Sequence, residues 1–155
     1  MKRTIFLAGG CFWGVQKFFD LLEGVVETEV GYANGDSDKT AYEELKKSGH
    51  AESVKIIYDD ELILTEELLD KYFSIIDPTS INRQGADIGY QYRTGIYYTD
   101  TELLPVIERK LDELRKSCDK PVQIELSELR NYCPAEEYHQ KYLEKNPGGY
   151  CHINF

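Results

Sequence analysis

The chain has 155 residues and a formal net charge of −10 at pH 7. That length predicts one domain over residues 1–155, and the negative charge argues against a nucleic-acid or anionic-membrane partner. No apolar run is long enough to span a bilayer, and the start, MKRTIFLAGG, is too short for a secretory signal, so we expect a cytoplasmic protein.

Short apolar runs alternate with helical spacing through the first half of the chain. TIFLA (4–8) is typical of a buried strand because it is short, apolar and ended by glycine. Thr65 is a candidate N-cap, since two glutamates follow it in the expected first helical turn. In chain order, the patterns predict strands at 4–8, 25–32 and 52–59 and helices at 11–22, 41–48 and 66–76.

The second half begins with a long irregular stretch at 77–91, and long ordered loops within compact domains are often functional. Thr101 is a candidate cap for the following helix, with Pro105 in its first turn. The patterns further predict strands at 92–99 and 121–126 and a helix at 134–146. Helices between strands indicate an α+β or α/β sandwich with helices packed on a sheet, whose strand order stays open.

Cys11 stands where the first predicted strand turns into the first predicted helix. Unpaired backbone N–H groups and the positive end of the helix dipole favour a thiolate there, and Gly9 and Gly10 leave room for a substrate to approach. Four cysteines are too few for a disulfide scaffold. From the residues alone, a nucleophilic thiol and a small buried cysteine under the helix stay equally open.

Phe12 and Trp13 follow the cysteine directly. Core packing is the commoner role of aromatic residues on a helix. Because adjacent helical side chains point about 100° apart, at least one of the two should lie near the mouth of any site at Cys11.

Segments along nearly the whole chain resemble, in family order, the A-type peptide-methionine sulfoxide reductases. The resemblance begins with GCFWG at 10–14. It continues with GYANG (31–35), YEE (42–44), GHAE (49–52), DPTSINRQGADIGYQYRTGIYY (77–98) and PAEEYHQKYLEKNPGGYCH (134–152). The A type acts on the S epimer of methionine sulfoxide, free or in proteins, and so repairs oxidised proteins.

The resemblance implies a fold and two central site residues. The fold is a mixed sheet with helices packed on it, a ferredoxin-like core and an extended C-terminal tail. Cys11 matches the nucleophile that attacks the sulfoxide sulfur and becomes a sulfenic acid. Glu52 matches the acid, which can donate a proton at neutral pH only where burial raises its pKa. Apart from the resemblance, a solvated strand-edge glutamate is the commoner interpretation.

Other site residues follow from the same resemblance. Tyr42 and Tyr92 match two tyrosines that donate hydrogen bonds to the sulfoxide oxygen. Phe12 and Trp13 match the pocket for the substrate methyl group, and Asp87 matches a supporting aspartate whose other interpretation is a loop cap. No cofactor or metal is implied, and the expected external reductant is thioredoxin.

A sulfenic acid at Cys11 has to be reduced by a second thiol. Cys151, in NPGGYCH, matches the family's resolving cysteine, whose disulfide with Cys11 thioredoxin would reopen. Cys118 is expected to be a bystander at a helix end. Cys133 stands where the family usually has an aromatic residue, and it either packs in that place, which we prefer, or serves as a second recycling thiol.

Two departures from the family pattern bear on the shape of the site. The connection between Tyr42 and His50 is shorter than is usual in the family. Tyr90 stands where threonine is common, which should affect substrate preference rather than the chemistry at Cys11.

Two other kinds of function remain to be weighed. A different thiol enzyme, such as a peroxidase, would need an activated cysteine but no methyl pocket. A zinc-stabilised binding module would have to use Cys133, His139, Cys151 and His152. Their spacing is poor for zinc and the chain has no C-x-x-C pair, so we do not expect a metal.

Overall fold

The computed structural model describes residues 1–149. Its helices are α1 (Phe12–Asp20), α2 (Leu45–Ser48), α3 (Thr65–Ser74), α4 (Leu104–Ser117) and α5 (Tyr142–Lys145). Its longer strands are β1 (Lys2–Ala8), β2 (Val25–Ala33), β3 (Ala51–Asp59), β6 (Gly95–Tyr98) and β7 (Glu125–Glu128). The two-residue strands are β4 (Arg83–Gln84), β5 (Asp87–Ile88) and β8 (Cys133–Pro134).

The main sheet is mixed, with its six strands in the order β7-β6-β1-β3-β2-β8. Only the β6–β7 pair is parallel among the described strands. The succession β1-α1-β2-β3-α3-β6 places β3 between β2 and β1, and β1 between β3 and β6. This is the split βαβ arrangement of ferredoxin-like folds, so the predicted mixed sheet with a ferredoxin-like core is confirmed.

The hydrophobic core lies between the sheet and its helices. β1 is buried from Ile5 to Ala8 because it is a central strand, covered on both faces. α1 and α4 are amphipathic, with Phe19 and Ile107 among the side chains that they bury fully. None of the helices described is both long and apolar enough to cross a bilayer.

Two helix starts differ from the predicted caps. Thr65 is the first residue of α3 rather than its cap, and its hydroxyl lies 2.8 Å from that of Tyr58. The Glu67 carboxylate instead accepts the backbone N–H of Leu64 at 3.2 Å. The turn before α4 is capped by the carboxylate of Asp100, not by Thr101, because an aspartate one residue earlier reaches the backbone of the turn.

The two strands predicted in the second half are displaced along the chain. β6 covers only residues 95–98 of the predicted 92–99, because Tyr92 belongs to a 3₁₀ turn at 90–92. β7 begins four residues after 121, and before it the backbone N–H of Gln123 donates to the carbonyl of Pro78 at 2.7 Å. The irregular stretch 77–91 contains the small hairpin formed by β4 and β5.

The helix predicted at 134–146 is wrong over most of its length. The segment begins as β8, makes a 3₁₀ turn at 137–139 and is helical only in α5. The Gln140 amide binds both the N–H and the carbonyl of Val30, at 3.0 and 2.9 Å. Lys141 has a φ of 56°, which ends any right-handed helix there. Hydrogen bonds to β2 therefore determine the path of this segment, although the spacing of its apolar residues favours a helix.

Candidate active site

Cys11 lies at the junction of β1 and α1, as the sequence predicts. It occupies the N-cap position of α1 with an extended backbone, and only 9% of the residue is exposed. The preceding Gly10 has a φ of 79°, in the left-handed region that favours glycine. Its backbone N–H donates to the carbonyl of Tyr92 at 3.2 Å, which ties the junction to the 3₁₀ turn at 90–92.

Gly9 is needed for a different reason than the sequence suggests. A Cβ atom at this position would lie 2.6 Å from Cγ2 of Ile76, just after α3. The missing side chain therefore makes room for core packing rather than for an approaching substrate.

Glu52 is buried against the start of α1. Its residue is 1% exposed, and Oε1 accepts the backbone N–H of Phe12, the residue after Cys11, at 3.2 Å. Oε2 accepts the side-chain amide of Gln91 at 3.2 Å. Burial raises the pKa of the Glu52 carboxyl to about 8, and the charge of Asp87 acts in the same direction. Glu52 is therefore largely protonated at neutral pH.

Tyr92 and Tyr42 bring two phenols to the same place. Burial is the main cause that raises the pKa of Tyr92, and the nearby charges of Glu52 and Cys11 and a hydrogen bond with Tyr42 add to it. Tyr42 is 38% exposed, in a 3₁₀ turn. The Tyr92 hydroxyl therefore lies near Cys11 and Glu52, and Tyr42 bonds to it from the turn at 42–44. Asp87 lies half-buried in β5.

Phe12 and Trp13 occupy different environments. Phe12 is buried and packs on Tyr32, with ring centroids 5.7 Å apart. Trp13 is half-buried, and its ring stacks on that of Tyr142 at 3.7 Å and an angle of 12°. Of the two, Trp13 is the one with an exposed part, which fits the expectation that the pair cannot share one face.

Two polar residues of the site were not predicted for it: Gln91 was not singled out from the sequence, and His139 was considered only as a possible zinc ligand. Gln91, described above, holds the carboxylate of Glu52. His139 accepts the indole N–H of Trp13 on Nδ1 at 3.0 Å, and its ring lies 5.2 Å from that of Tyr42. Both residues stand in segments that resemble the family, but a helix at 134–146 would not have brought His139 to Trp13.

The cysteines other than Cys11 are spread over the chain. Cys133 is half-buried in β8, and its thiol donates to the carbonyl of Thr40 at 3.6 Å. Cys118 ends α4. Cys151 lies outside the described residues, as does the end of the predicted tail.

Tyr90 is held at the surface by an arginine. Its ring lies under the guanidinium of Arg93, 3.9 Å from the ring centroid, while 53% of the residue stays exposed. Arg93 is buried and forms an ion pair with Glu125 at 2.8 Å. It also donates to the backbone carbonyl of Asn34 at 3.2 Å. Tyr90 thus adds an exposed aromatic ring at the first residue of the 3₁₀ turn that carries Tyr92.

A metal ion has no obvious place in the part of the chain that is described. Residues 1–149 contain no group of three or more His, Cys, Asp or Glu side chains that could hold one. Of the four residues considered for zinc, Cys151 and His152 lie outside this range.

The grouped side chains suit oxygen removal from sulfur. A thiol at a helix start can act as a nucleophile. A buried protonated carboxyl next to it can give up a proton, and neutral phenols can donate hydrogen bonds to a developing negative oxygen.

Comparisons with known proteins agree with this chemistry. The model of the family described as peptide methionine sulfoxide reductase matches residues 3–155. A curated relative, peptide methionine sulfoxide reductase MsrA of Lachnoclostridium phytofermentans, is 55% identical over 99% of this chain and 93% of its own. Two solved structures of Mxr1 from Saccharomyces cerevisiae are also similar. The reduced form has a TM-score of 0.91, with 32% identity over 99% of this chain and 92% of its own.

The second Mxr1 structure is a complex with Trx2, with a TM-score of 0.63 and 23% identity over 91% of this chain and 84% of the Mxr1 chain. At that identity the likeness shows the fold alone. The family match and the curated relative both extend over nearly all of this sequence. The chain belongs to the peptide methionine sulfoxide reductase family.

Proposed function

We propose that this chain reduces the S epimer of methionine sulfoxide, free or in proteins, with Cys11 as nucleophile and Glu52 as acid. The observation that carries the proposal is the buried carboxyl of Glu52. Its Oε1 accepts the backbone N–H of Phe12, the residue that follows Cys11, at 3.2 Å, and its pKa is raised to about 8. A proton donor and a nucleophile are thereby held together out of water.

In the first step, the thiolate of Cys11 attacks the sulfoxide sulfur while the carboxyl of Glu52 protonates the sulfoxide oxygen. The attack joins the two sulfur atoms, and this S–S bond and the S–O bond of the substrate then both break as the protonated oxygen passes to the cysteine sulfur, which becomes a sulfenic acid. The methionine sulfur leaves as a thioether, reduced by two electrons, and the cysteine sulfur is oxidised by two. One proton is taken up by the oxygen, and no other reactant is needed.

Tyr42 and Tyr92 are proposed to donate hydrogen bonds to the oxygen as its negative charge grows. The raised pKa of Tyr92 keeps its hydroxyl protonated and able to donate. Phe12 and Trp13 are proposed to receive the substrate methyl group, and Asp87 to support substrate binding from β5. Trp13 is the better placed of the aromatic pair, because Phe12 is almost fully buried.

Regeneration needs a second thiol. We propose that Cys151 condenses with the sulfenic acid, forming a Cys11–Cys151 disulfide and releasing water, and that the dithiol of thioredoxin reduces this disulfide. Yeast Mxr1, whose reduced form is 32% identical to this chain, has also been solved in complex with Trx2, which supports the choice of reductant. Cys133 remains the alternative second thiol. A thioredoxin-dependent cycle fits a reducing cytoplasm, where we expect the protein to work.

The test measures turnover of the two epimers of methionine sulfoxide by the wild type, Cys11→Ser and the control Cys118→Ser. We expect the wild type and the control to reduce the S epimer and Cys11→Ser to be inactive. Turnover of only the R epimer by the wild type would overturn the proposal, and so would full activity of Cys11→Ser.

A further inference from the structure

His139 is buried among the aromatic side chains of the proposed site. It is 2% exposed, and its Nδ1 lies 3.0 Å from the indole Nε1 of Trp13. Its ring centroid is 5.3 Å from that of Phe12 and 5.2 Å from that of Tyr42. One imidazole therefore contacts both proposed methyl-pocket residues and one of the proposed oxygen-binding tyrosines.

The contact with Trp13 determines where the imidazole carries its proton. An indole N–H can only donate, so Nδ1 of His139 must present its lone pair. The proton of the neutral ring then lies on Nε2. That atom has no hydrogen-bond partner within residues 1–149, and the nearest carboxylate oxygen, Oε2 of Glu136, is 3.7 Å away. Burial lowers the pKa of His139, which favours this neutral ring.

Two contacts of different kind hold the indole of Trp13. The ring of Tyr142 stacks on its face at 3.7 Å and 12°, which sets the plane of the indole. Stacking is tolerant of rotation and sliding within that plane. A hydrogen bond to Nε1 is directional, so His139 removes the freedom that Tyr142 leaves.

We propose that His139 is a positioning residue that fixes the in-plane orientation of Trp13 and thereby makes the site selective for a methyl sulfoxide over larger alkyl sulfoxides. The inference rests on the proposed function, in which Trp13 receives the substrate methyl group. A pocket whose wall is held still rejects an extra methylene more strongly than one whose wall can turn aside.

The hydrogen bond can be tested apart from activity, because Trp13 is the only tryptophan in the chain. Its indole N–H gives one resonance in a ¹H–¹⁵N spectrum. His139→Asn places an amide oxygen near the position of Nδ1 and should keep that resonance close to its wild-type shift and slow to exchange with water. His139→Leu has no acceptor, so the resonance should move and exchange faster. An unchanged resonance in His139→Leu would overturn the proposal.

The contact can also be tested on the wild type alone, so that the test does not depend on a variant that folds. The ¹⁵N shifts of the imidazole of His139 distinguish its two neutral tautomers. We expect the proton on Nε2, and a proton on Nδ1 would overturn the proposal because Trp13 could not donate there.

The kinetic arm compares methionine sulfoxide with ethionine sulfoxide, whose sulfur carries an ethyl group. His139→Leu should raise KM for methionine sulfoxide and lower the methyl-to-ethyl ratio of kcat/KM about tenfold, as for loss of one well-placed hydrogen bond. His139→Asn should restore most of the ratio. In a Trp13→Phe background, which lacks the donor, His139→Leu should cause no further loss of selectivity.

The outcomes separate the two proposals. A wild type that reduces neither sulfoxide refutes the proposed function, while the indole resonance still reports on the contact. An active wild type whose methyl-to-ethyl ratio is unchanged by His139→Leu refutes only the positioning role. An additive loss in the Trp13→Phe background does the same, because His139 would then act through something other than Trp13.

Discussion

Replacing Glu52 by glutamine should make the protein more stable at neutral pH. Glutamine resembles the protonated carboxyl in shape and neutrality, and its Oε1 can still accept the backbone N–H of Phe12. The amide of Gln91 need only turn over to accept from the new side chain, instead of donating as it does to Glu52. The variant therefore removes the cost of a buried ionisable group without leaving a cavity.

The size of the effect follows from the raised pKa of Glu52. The folded protein holds this proton up to about pH 8, whereas an ordinary glutamate releases it near 4.5. The folded state therefore binds more protons than the unfolded state between these values, so this carboxyl makes stability fall as pH rises through that window. Between pH 5 and pH 7 the loss relative to glutamine should be about 2 to 3 kcal/mol, at roughly 1.4 kcal/mol per pH unit.

The assay is thermal or urea unfolding of the wild type and Glu52→Gln at pH 5, 6 and 7. For a chain of this size, the advantage in Tm of Glu52→Gln should grow by about 5 to 10 °C over the range. Glu27→Gln, which removes an exposed carboxyl from β2, controls for the loss of one negative charge. An advantage that stays constant or shrinks as pH rises, or that Glu27→Gln reproduces, would refute the burial argument.

The remaining predictions concern turnover and packing. The kcat/KM of the wild type for methionine sulfoxide should fall about tenfold per pH unit above pH 8, because Glu52 ionises there. Glu52→Gln should slow reduction by a factor of roughly 10² to 10⁴. A wild-type rate that stays constant up to pH 10, or a normal rate in the variant, would contradict the acid role. Cys151→Ser should retain a single turnover, detected as one methionine per enzyme, but lose most thioredoxin-supported turnover. If thioredoxin-supported turnover is instead normal in Cys151→Ser and lost in Cys133→Ser, Cys133 is the resolving cysteine. Gly9→Ala should lower the free energy of unfolding by about 1 to 3 kcal/mol, because its Cβ would meet Ile76 at 2.6 Å; unchanged stability in urea would show that the core relaxes there.

The parts of the fold that the sequence predicts well are those whose hydrophobic pattern is decided locally. β1 is a short apolar run ended by glycine, and α1 and α4 carry an apolar face at helical spacing. Segment 134–146 has comparable spacing, yet Gln140 and Lys141 bind groups on distant elements instead. Contacts between residues that are more than a hundred positions apart leave no local pattern in the sequence. The irregular path of this segment could therefore not be predicted from its own residues.

The candidate site divides in the same way. The position of Cys11 at a helix start follows from a strand, two glycines and a helix in succession. The role of Glu52 depends on burial, which an alternating strand pattern does not reveal at its first residues. Gln91 and His139 belong to the site only through hydrogen bonds to Glu52 and Trp13, and these partners lie 39 and 126 residues away in the chain.

The pairing of β3 separates two parts of the site that are close together in the sequence. Ser53 lies opposite Ala8 of β1, and Glu52 lies opposite Tyr32 of β2, so two neighbouring strands hold the acid whatever the length of the connection at 34–50. Tyr42 lies inside that connection. A change in the length of this connection would therefore move Tyr42, the proposed oxygen-binding residue, while Glu52, the proposed acid, keeps its place. The proposed oxygen-binding tyrosine and the proposed proton donor can thus be moved independently of one another in this fold.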